Sequence, residues 1–233
     1  MSILKTTLRP YKIDGELIRL SSRHDCGYII NKEVIKNINR CYTYGIGSDI
    51  SFENEMLDIN PYIKTYLYDH AVSQPTLKPN MTFFKNGLSG HKEGELNSFF
   101  NHVIENKDSL NEKILLKIDA EGAEYPLFNE NSIELFQNLE AMIIEFHYIE
   151  NQLDNFLKIL NDINKYFFIV HIHGNNCAGQ FNHEGFICPS VPEITFLNRK
   201  RYEPLGFLSV KYPIAGLDYP NNPNKGDLEI DFL

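Results

Sequence analysis

Apolar residues along this chain fall into two rhythms. The segments KILLKIDAEG (113–122), EAMIIEFHYI (140–149) and YFFIVHIHG (166–174) are unbroken apolar runs that end in charged residues, histidine or glycine. Runs of this kind belong to strands buried on both faces of a parallel sheet. RCYTYGI (40–46), TYLYDHA (65–71) and VPEITFLNR (191–199) predict further strands, and NMTFFKNGL (80–88) follows the second of these and stops at a glycine. The other rhythm is helical. EGELNSFFNHVIENK (93–107) spaces Leu96, Phe99, Phe100, Val103 and Ile104 for one side of a helix. ENQLDNFLKILNDINKY (150–166) does the same with Leu153, Phe156, Leu157, Leu160 and Ile163. Strands alternating with helices at this spacing predict an α/β domain with a mostly parallel sheet. The chain has no internal repeat and no low-complexity linker. Residues 1–233 therefore read as one domain, with an N-terminal extension (1–39) covering the sheet and a Pro- and Asn-rich tail (212–233) running irregularly over the surface.

Composition narrows the partners. A content of 42% hydrophobic and 23% charged residues is that of a soluble globular protein. The net charge of −9, with no basic block, argues against nucleic acid and against an anionic membrane surface. No stretch approaches the ~20 apolar residues of a membrane span. The opening segment, MSILKTTLRPYKIDGELIRL, lacks the apolar core of a signal peptide. Cys26, Cys41, Cys177 and Cys188 are scattered without a CxxC pair, which argues against a zinc knuckle or disulfide scaffold. The expected location is the cytoplasm.

The chemistry begins at YTYGIGSDISFE (42–53). Ligands of parallel α/β sheets bind beyond the carboxyl ends of the strands, where Gly45 and Gly47 fall. A dinucleotide fingerprint needs a third glycine three positions later, and Ile50 stands there. The second strand ends in Asp69, an acid placed to accept the hydroxyls of a ribose. Together these features favour a nucleoside without a pyrophosphate, S-adenosylmethionine over NAD. A bare strand-to-helix turn and a capping aspartate remain the structural alternative. Candidate cofactor contacts are Tyr44, Gly45, Gly47, Asp49, Asp69, His70, Gly87, Leu88 and Asp119.

The segments RHDCGYII (23–30), YGIGSDISFE (44–53), LYDHAV (67–72), LLKIDAEGAEYPLF (115–128), IIEFHYI (143–149), HIHGNN (171–176) and PEITFLNR (192–199) follow one another in the order of a known family. With them the chain resembles the FkbM-like class I methyltransferases, and KIDAEGAE is the strongest piece. The resemblance implies a Rossmann-like sheet of seven strands, mostly parallel with the last strand antiparallel, and helices on both faces. It implies S-adenosylmethionine as methyl donor. It points to a hydroxyl on a carbohydrate or other polar metabolite as acceptor, a surface-glycan (capsule or lipopolysaccharide) precursor among them. It also places Arg23, Asp25 and Tyr28 near the cofactor or acceptor, with an N-terminal hairpin over the sheet edge as the alternative. Two departures stand out: Cys26 replaces a glycine of the Asp-Gly-Gly-Tyr pattern, and Thr43 stands where many class I enzymes carry an acid.

Strand ends supply the reactive groups. The fourth strand ends in Asp119, followed by Glu121 and Glu124; the fifth ends in Glu145 and His147; the sixth carries His171, His173, Asn175 and Asn176. An antiparallel last strand brings Glu193 to the same edge. Methyl transfer to an alcohol needs alignment and a group that takes the proton, a task that suits histidine. His147 or His173 is the expected base, with Asp119 or Glu193 orienting it, Glu121 facing the site, Asn175 and Asn176 holding substrate, and His171 structural. Histidine and carboxylates could instead hold a divalent cation. An NAD-dependent oxidoreductase, a non-catalytic nucleoside-binding module and a metal-dependent hydrolase are the competing readings.

Overall fold

In the computed structural model, which describes residues 2–21 and 24–233, the seven predicted runs become the strands of one sheet. They are β1 (Arg40–Tyr44), β2 (Lys64–Tyr68), β3 (Met81–Phe84), β4 (Ile114–Ile118), β5 (Ala141–Glu145), β6 (Phe167–Gly174) and β7 (Pro192–Asn198). Their order across the sheet is β6-β7-β5-β4-β1-β2-β3. The first five run parallel, and β7 inserts antiparallel between β5 and β6. This is the expected Rossmann-like sheet. The chain moves outward from β1 to β3, then returns to lay β4 on the other side of β1. The direction of winding therefore reverses between β1 and β4, and a crevice opens at their carboxyl ends.

Helices cover both faces. Helix α1 (Ser51–Ile59) packs Phe52, Met56 and Leu57 on one face. Helices α2 (Phe99–Glu105), α3 (Glu124–Glu130) and α4 (Leu153–Ile163) pack the other. Strand alternation decides which face a residue serves: Tyr42 and Tyr44 of β1 join the α2–α4 core, and Cys41 joins the α1 core. No helix among the described residues is long and apolar enough to cross a membrane.

Two expectations change. The 93–107 helix is shorter than its spacing predicts. Leu96 belongs to a two-residue strand pairing Gly87–Leu88, and Ser98 then caps α2 by accepting from the Asn101 amide at 3.3 Å. Ile104 is 71% exposed, so the buried side of α2 is Phe99, His102 and Val103. Asn97 and Ser98 offer the backbone a cap where the apolar period alone would have continued the helix. The tail is irregular from 213 to 229, as expected, but its ends are tied into the fold rather than lying on the surface. Lys211–Tyr212 pairs with Ile230–Asp231, and Tyr212, Ile230 and Phe232 are buried in the α2–α4 core. At the N-terminus, Leu17–Leu20 and Tyr28–Asn31 form an antiparallel hairpin. The Thr195 hydroxyl of β7 donates to its Ile29 carbonyl at 2.6 Å. This hairpin also delivers Tyr28 to the crevice, so the two readings of the segment are compatible.

Candidate active site

The β1 loop is shaped by close approach. Gly45 has φ +73, and a Cβ built on it would lie 1.5 Å from the Asp119 carbonyl oxygen. Only glycine permits β1 and β4 to end so near each other. Gly47 has φ +54 but open space around its Cα. Its amide donates to Asp69 Oδ2 at 3.1 Å, while Asp69 Oδ1 accepts from Ala71 at 2.8 Å and Val72 at 3.3 Å. The acid of β2 thus fastens the glycine loop to its own turn. Between these loops lies a cleft of about 360 Å³. Gly45, Gly47, Asp69, His70, Gly87, Leu88, Asp119 and Glu121 line it, together with Asp25 and Cys26 from the hairpin turn.

Tyr44 and Asp49 leave the candidate set. Strand alternation sends the Tyr44 ring away from the cleft, where its hydroxyl meets His102 Nδ1 at 3.0 Å and its ring stacks on Tyr68. Asp49 Oδ1 accepts from the Ser51 amide at 2.7 Å and caps the start of α1. Burial lowers His102 to about 4, so the pair with Tyr44 is a neutral core contact.

Beyond the cleft floor, β4 and β5 bring a polar cluster together. Tyr28 donates to Asp119 Oδ2 at 2.7 Å and reaches Glu145 Oε2 at 3.5 Å. Asn175 donates to Glu145 Oε1 at 3.1 Å. Glu124, wholly buried at the first turn of α3, accepts on Oε1 from the His147 amide at 2.7 Å and meets His147 Nδ1 at 3.2 Å. His147 Nε2 then points at Glu121, Glu145 and Asp119 across 3.5, 3.6 and 3.7 Å. Asp119, Glu145 and His147 each present a ligand atom within 4.8 Å of the others. Glu121 takes a left-handed φ of +50, the turn that lets the chain leave Asp119 and start α3.

Charge in this cluster is crowded. Burial raises the Glu145 carboxyl well above its usual range, and the charges of Asp119 and Glu193 add to it. Burial raises Asp119 as well, against the opposing pull of Lys117 and the Tyr28 hydrogen bond. For His147, burial acts downward, but the Glu124 hydrogen bond and charge, with Asp119 and Glu121, outweigh it and the net shift is upward.

The sixth strand departs most from expectation. His173 is 2% exposed and closed in by Glu193 Oε2 at 3.0 Å and the tail carboxylate Asp227 at 3.1 Å. Burial opposes its charge, yet the two carboxylates raise it to about 10. An imidazolium held so firmly is unsuited to be a general base, which removes His173 from that role. Glu193 is its ion-pair partner and also accepts from Asn221 at 2.7 Å, so it does not orient His147; Glu124 does. Asn176 is likewise no substrate contact: its amide donates to the Asn222, Lys225 and Gly226 carbonyls and anchors the tail. His171 pairs with buried Asp218 at 2.9 Å, a structural position as expected. Asn175 stands behind Glu145, and Asp25, held by Asn221 at 3.1 Å, walls the cleft. Arg23 lies outside the described residues.

Sequence reasoning left Glu124 and Glu145 out of the catalytic set. Their signals were present: Glu124 is the second glutamate of KIDAEGAE, and Glu145 is the acid at the end of β5. The Cys26 departure also has a conformational reading. Cys26 sits at φ +66, a region that glycine occupies without strain. Cys26→Gly is expected to leave the fold intact and to raise stability by up to ~1 kcal/mol, read by urea unfolding. A loss of stability would show that the thiol's burial matters more than the backbone strain.

No family model and no curated protein matches this chain. Two solved structures show a distant likeness. One, named as an rRNA-methylase from Clostridium thermocellum, is 6% identical over 71% of this chain and 91% of that one, with a TM-score of 0.37. The other, a precorrin-6y C5,15-methyltransferase from Geobacter metallireducens GS-15, is 12% identical over 71% of this chain and 84% of that one, with a TM-score of 0.36. So shallow a likeness adds nothing to the strand order described above.

Proposed function

We propose that this protein is an S-adenosylmethionine-dependent O-methyltransferase acting on a hydroxyl of a carbohydrate or other polar metabolite. One observation carries the proposal. The glycine loop and Asp69 shape a nucleoside-sized cleft lined also by Asp119 and Glu121, and Asp119 joins it to the buried Glu145 and His147 behind. The FkbM-like motifs and the winding of the sheet support the same reading.

The residues present suit the cofactor. Gly47 leaves open space at the cleft wall, and Asp69 keeps acceptor capacity beyond its three backbone donors. The volume falls within the range of small-molecule sites. When bound, S-adenosylmethionine supplies an electrophilic methyl group. The Gly45–Gly47 backbone admits the nucleoside, and Asp69 orients it. The acceptor hydroxyl lies against the Asp119 end of the cleft, and Glu121, which lines the cleft 3.5 Å from His147 Nε2, takes up its proton. Alignment of acceptor against methyl provides much of the rate. The four carboxylates that line the cleft, Asp25, Asp69, Asp119 and Glu121, and the net charge of −9 disfavour a polyanionic acceptor such as nucleic acid. The absent third glycine disfavours NAD.

S-adenosylhomocysteine should raise the melting temperature and give a saturable calorimetric isotherm, while NADH should do neither. Asp69→Ala should weaken S-adenosylhomocysteine binding by ~10–100-fold, the worth of hydrogen bonds to a charged group. No thermal shift and no heat at millimolar cofactor would refute the assignment.

A further inference from the structure

The His147 imidazole is nine-tenths buried, its Nδ1 is engaged by Glu124, and no hydrogen bond reaches its Nε2 among the described residues. That nitrogen faces carboxylates on three sides at nearly equal distances of 3.5, 3.6 and 3.7 Å. A bare imidazolium would close onto one of them at ~2.8 Å, the length of a charge-assisted hydrogen bond. A bare neutral imidazole would turn its lone pair toward negative oxygens. Neither matches a nitrogen held equidistant. Three donors on one first-row ion, each ~2.1 Å from it, stand ~3.0–3.4 Å from one another at octahedral or tetrahedral angles. His147 Nε2 stands 3.6 Å from Glu145 and 3.7 Å from Asp119, and the three donor atoms all lie within 4.8 Å of one another, so the side chains have to close inward to seat an ion.

We propose that Asp119, Glu145 and His147 form a binding site for one divalent first-row metal ion, Mn²⁺ or Zn²⁺ in preference to Mg²⁺, at the acceptor end of the cleft. One imidazole and two carboxylates are a donor set for those ions, whereas Mg²⁺ prefers an all-oxygen shell rich in water.

The groups behind the three ligands fit the same assignment. Metal-binding histidines give their other ring nitrogen to a carboxylate, which fixes the tautomer and aims the ligating atom. Glu124 does this for His147, and it also accepts from the His147 amide, so ring and backbone are set together. Tyr28 holds Asp119 through Oδ2 and leaves Oδ1 turned to His147. Asn175 holds Glu145. Lys117, the nearest ammonium on β4, lies over the Tyr28 ring at 4.5 Å and pairs with Glu53 at 3.8 Å on the far side. A divalent ion between Asp119 and Glu145 resolves the confrontation of two carboxylates that share one small space. Three protein ligands leave coordination positions free, and Asp119, a quarter exposed on the cleft floor, turns them toward the cleft. An acceptor oxygen would take one of these positions. This placement rests on the methyltransferase reading; the ion site itself does not.

The test uses the full chain, stripped with EDTA and titrated with Mn²⁺ while free ion is followed by electron paramagnetic resonance. Zn²⁺ and Mg²⁺ are added as competitors. The expected result is one tightly bound ion per chain, displaced by Zn²⁺ and at least ~10-fold less well by Mg²⁺. Glu145→Gln and His147→Ala should abolish saturable binding. Glu124→Gln, which leaves all three ligands in place, should weaken it ~10–100-fold while circular dichroism stays unchanged. If the ligand variants fail to fold, Glu124→Gln and Tyr28→Phe carry the same reading. No stoichiometric ion in the wild type, or unchanged affinity in Glu124→Gln together with folded ligand variants, would overturn the proposal. S-adenosylhomocysteine binding is measured on the same samples. Ion binding without it removes the methyltransferase reading and leaves the metal site; cofactor binding without the ion does the reverse.

Discussion

Gly45→Ala is expected to lose at least ~3 kcal/mol of stability, a fall in melting temperature of about 10 °C for a chain of this size, and with it the binding of S-adenosylhomocysteine. The added methyl would meet the Asp119 carbonyl carbon at 2.5 Å and its oxygen at 1.5 Å, both backbone atoms of the adjoining strand end. No rotamer change relieves that contact. Either β1 and β4 separate, which opens the floor of the cleft, or the loop abandons its φ of +73. Gly47→Ala provides the matched comparison. Its backbone is also left-handed, but a methyl there meets nothing within 4 Å. Only the conformational penalty of about 1 kcal/mol applies. Equal melting temperatures for the two variants would disprove the close approach of β1 and β4.

The second large effect belongs to the tail. His173→Ala should cost ~3–5 kcal/mol near pH 6, because it leaves Glu193 and Asp227 buried around a lost cation. The pH dependence has a definite sign. His173 titrates in the folded chain at about 10, against an ordinary value of about 6.5. Its contribution is complete below pH 6.5 and drains away as pH rises toward 10. Glu193 works in the opposite direction. Burial acts upward on it, but the His173 hydrogen bond and charge prevail and hold it below the usual carboxyl range. Its contribution is present above pH 4.5 and is lost as pH falls. The tail carboxylate Asp218 feels His173 as well and is itself held low: burial pushes it upward, but the contact with His171 at 2.9 Å prevails. The clamp is therefore strongest between roughly pH 4.5 and 6.5. Thermal unfolding from pH 5 to 10 should show wild-type stability declining above neutrality, and His173→Ala should flatten that decline. A wild-type curve with no decline above pH 7 would show that the clamp does not carry this energy.

The residues that were legible in the sequence share a property: their meaning is local. Unbroken apolar runs at 113–118 and 166–172 can serve only as strands buried on both sides, and the glycines at 45 and 47 announce a tight approach wherever they fall. Asp69 was legible because an acid at the end of the second strand faces the loop after the first. The misread residues depend on partners that lie far away in sequence. His173 takes its character from Asp227, 54 positions later, and motif spacing cannot reveal that a tail returns to neutralise it. Glu124 acquires its role from His147, 23 positions on. Tyr44 and Asp49 sit at the right place in the motif, but strand alternation and helix capping turned their side chains to other work. Position along a motif specifies where a residue is; direction comes from the element that carries it.

The insertion of β7 between β5 and β6 also bears on how the molecule is made. During synthesis the first five strands can join side by side as they emerge, each finding its neighbour already in place. β6 cannot: its only seat on the sheet is β7, which leaves the ribosome about twenty residues later. The nascent chain must therefore carry an apolar, unseated β6 until β7 arrives, and the pair then docks as one antiparallel unit. The clamp on His173 needs Asp227, which is made after both strands, so it closes only once β6 and β7 have paired.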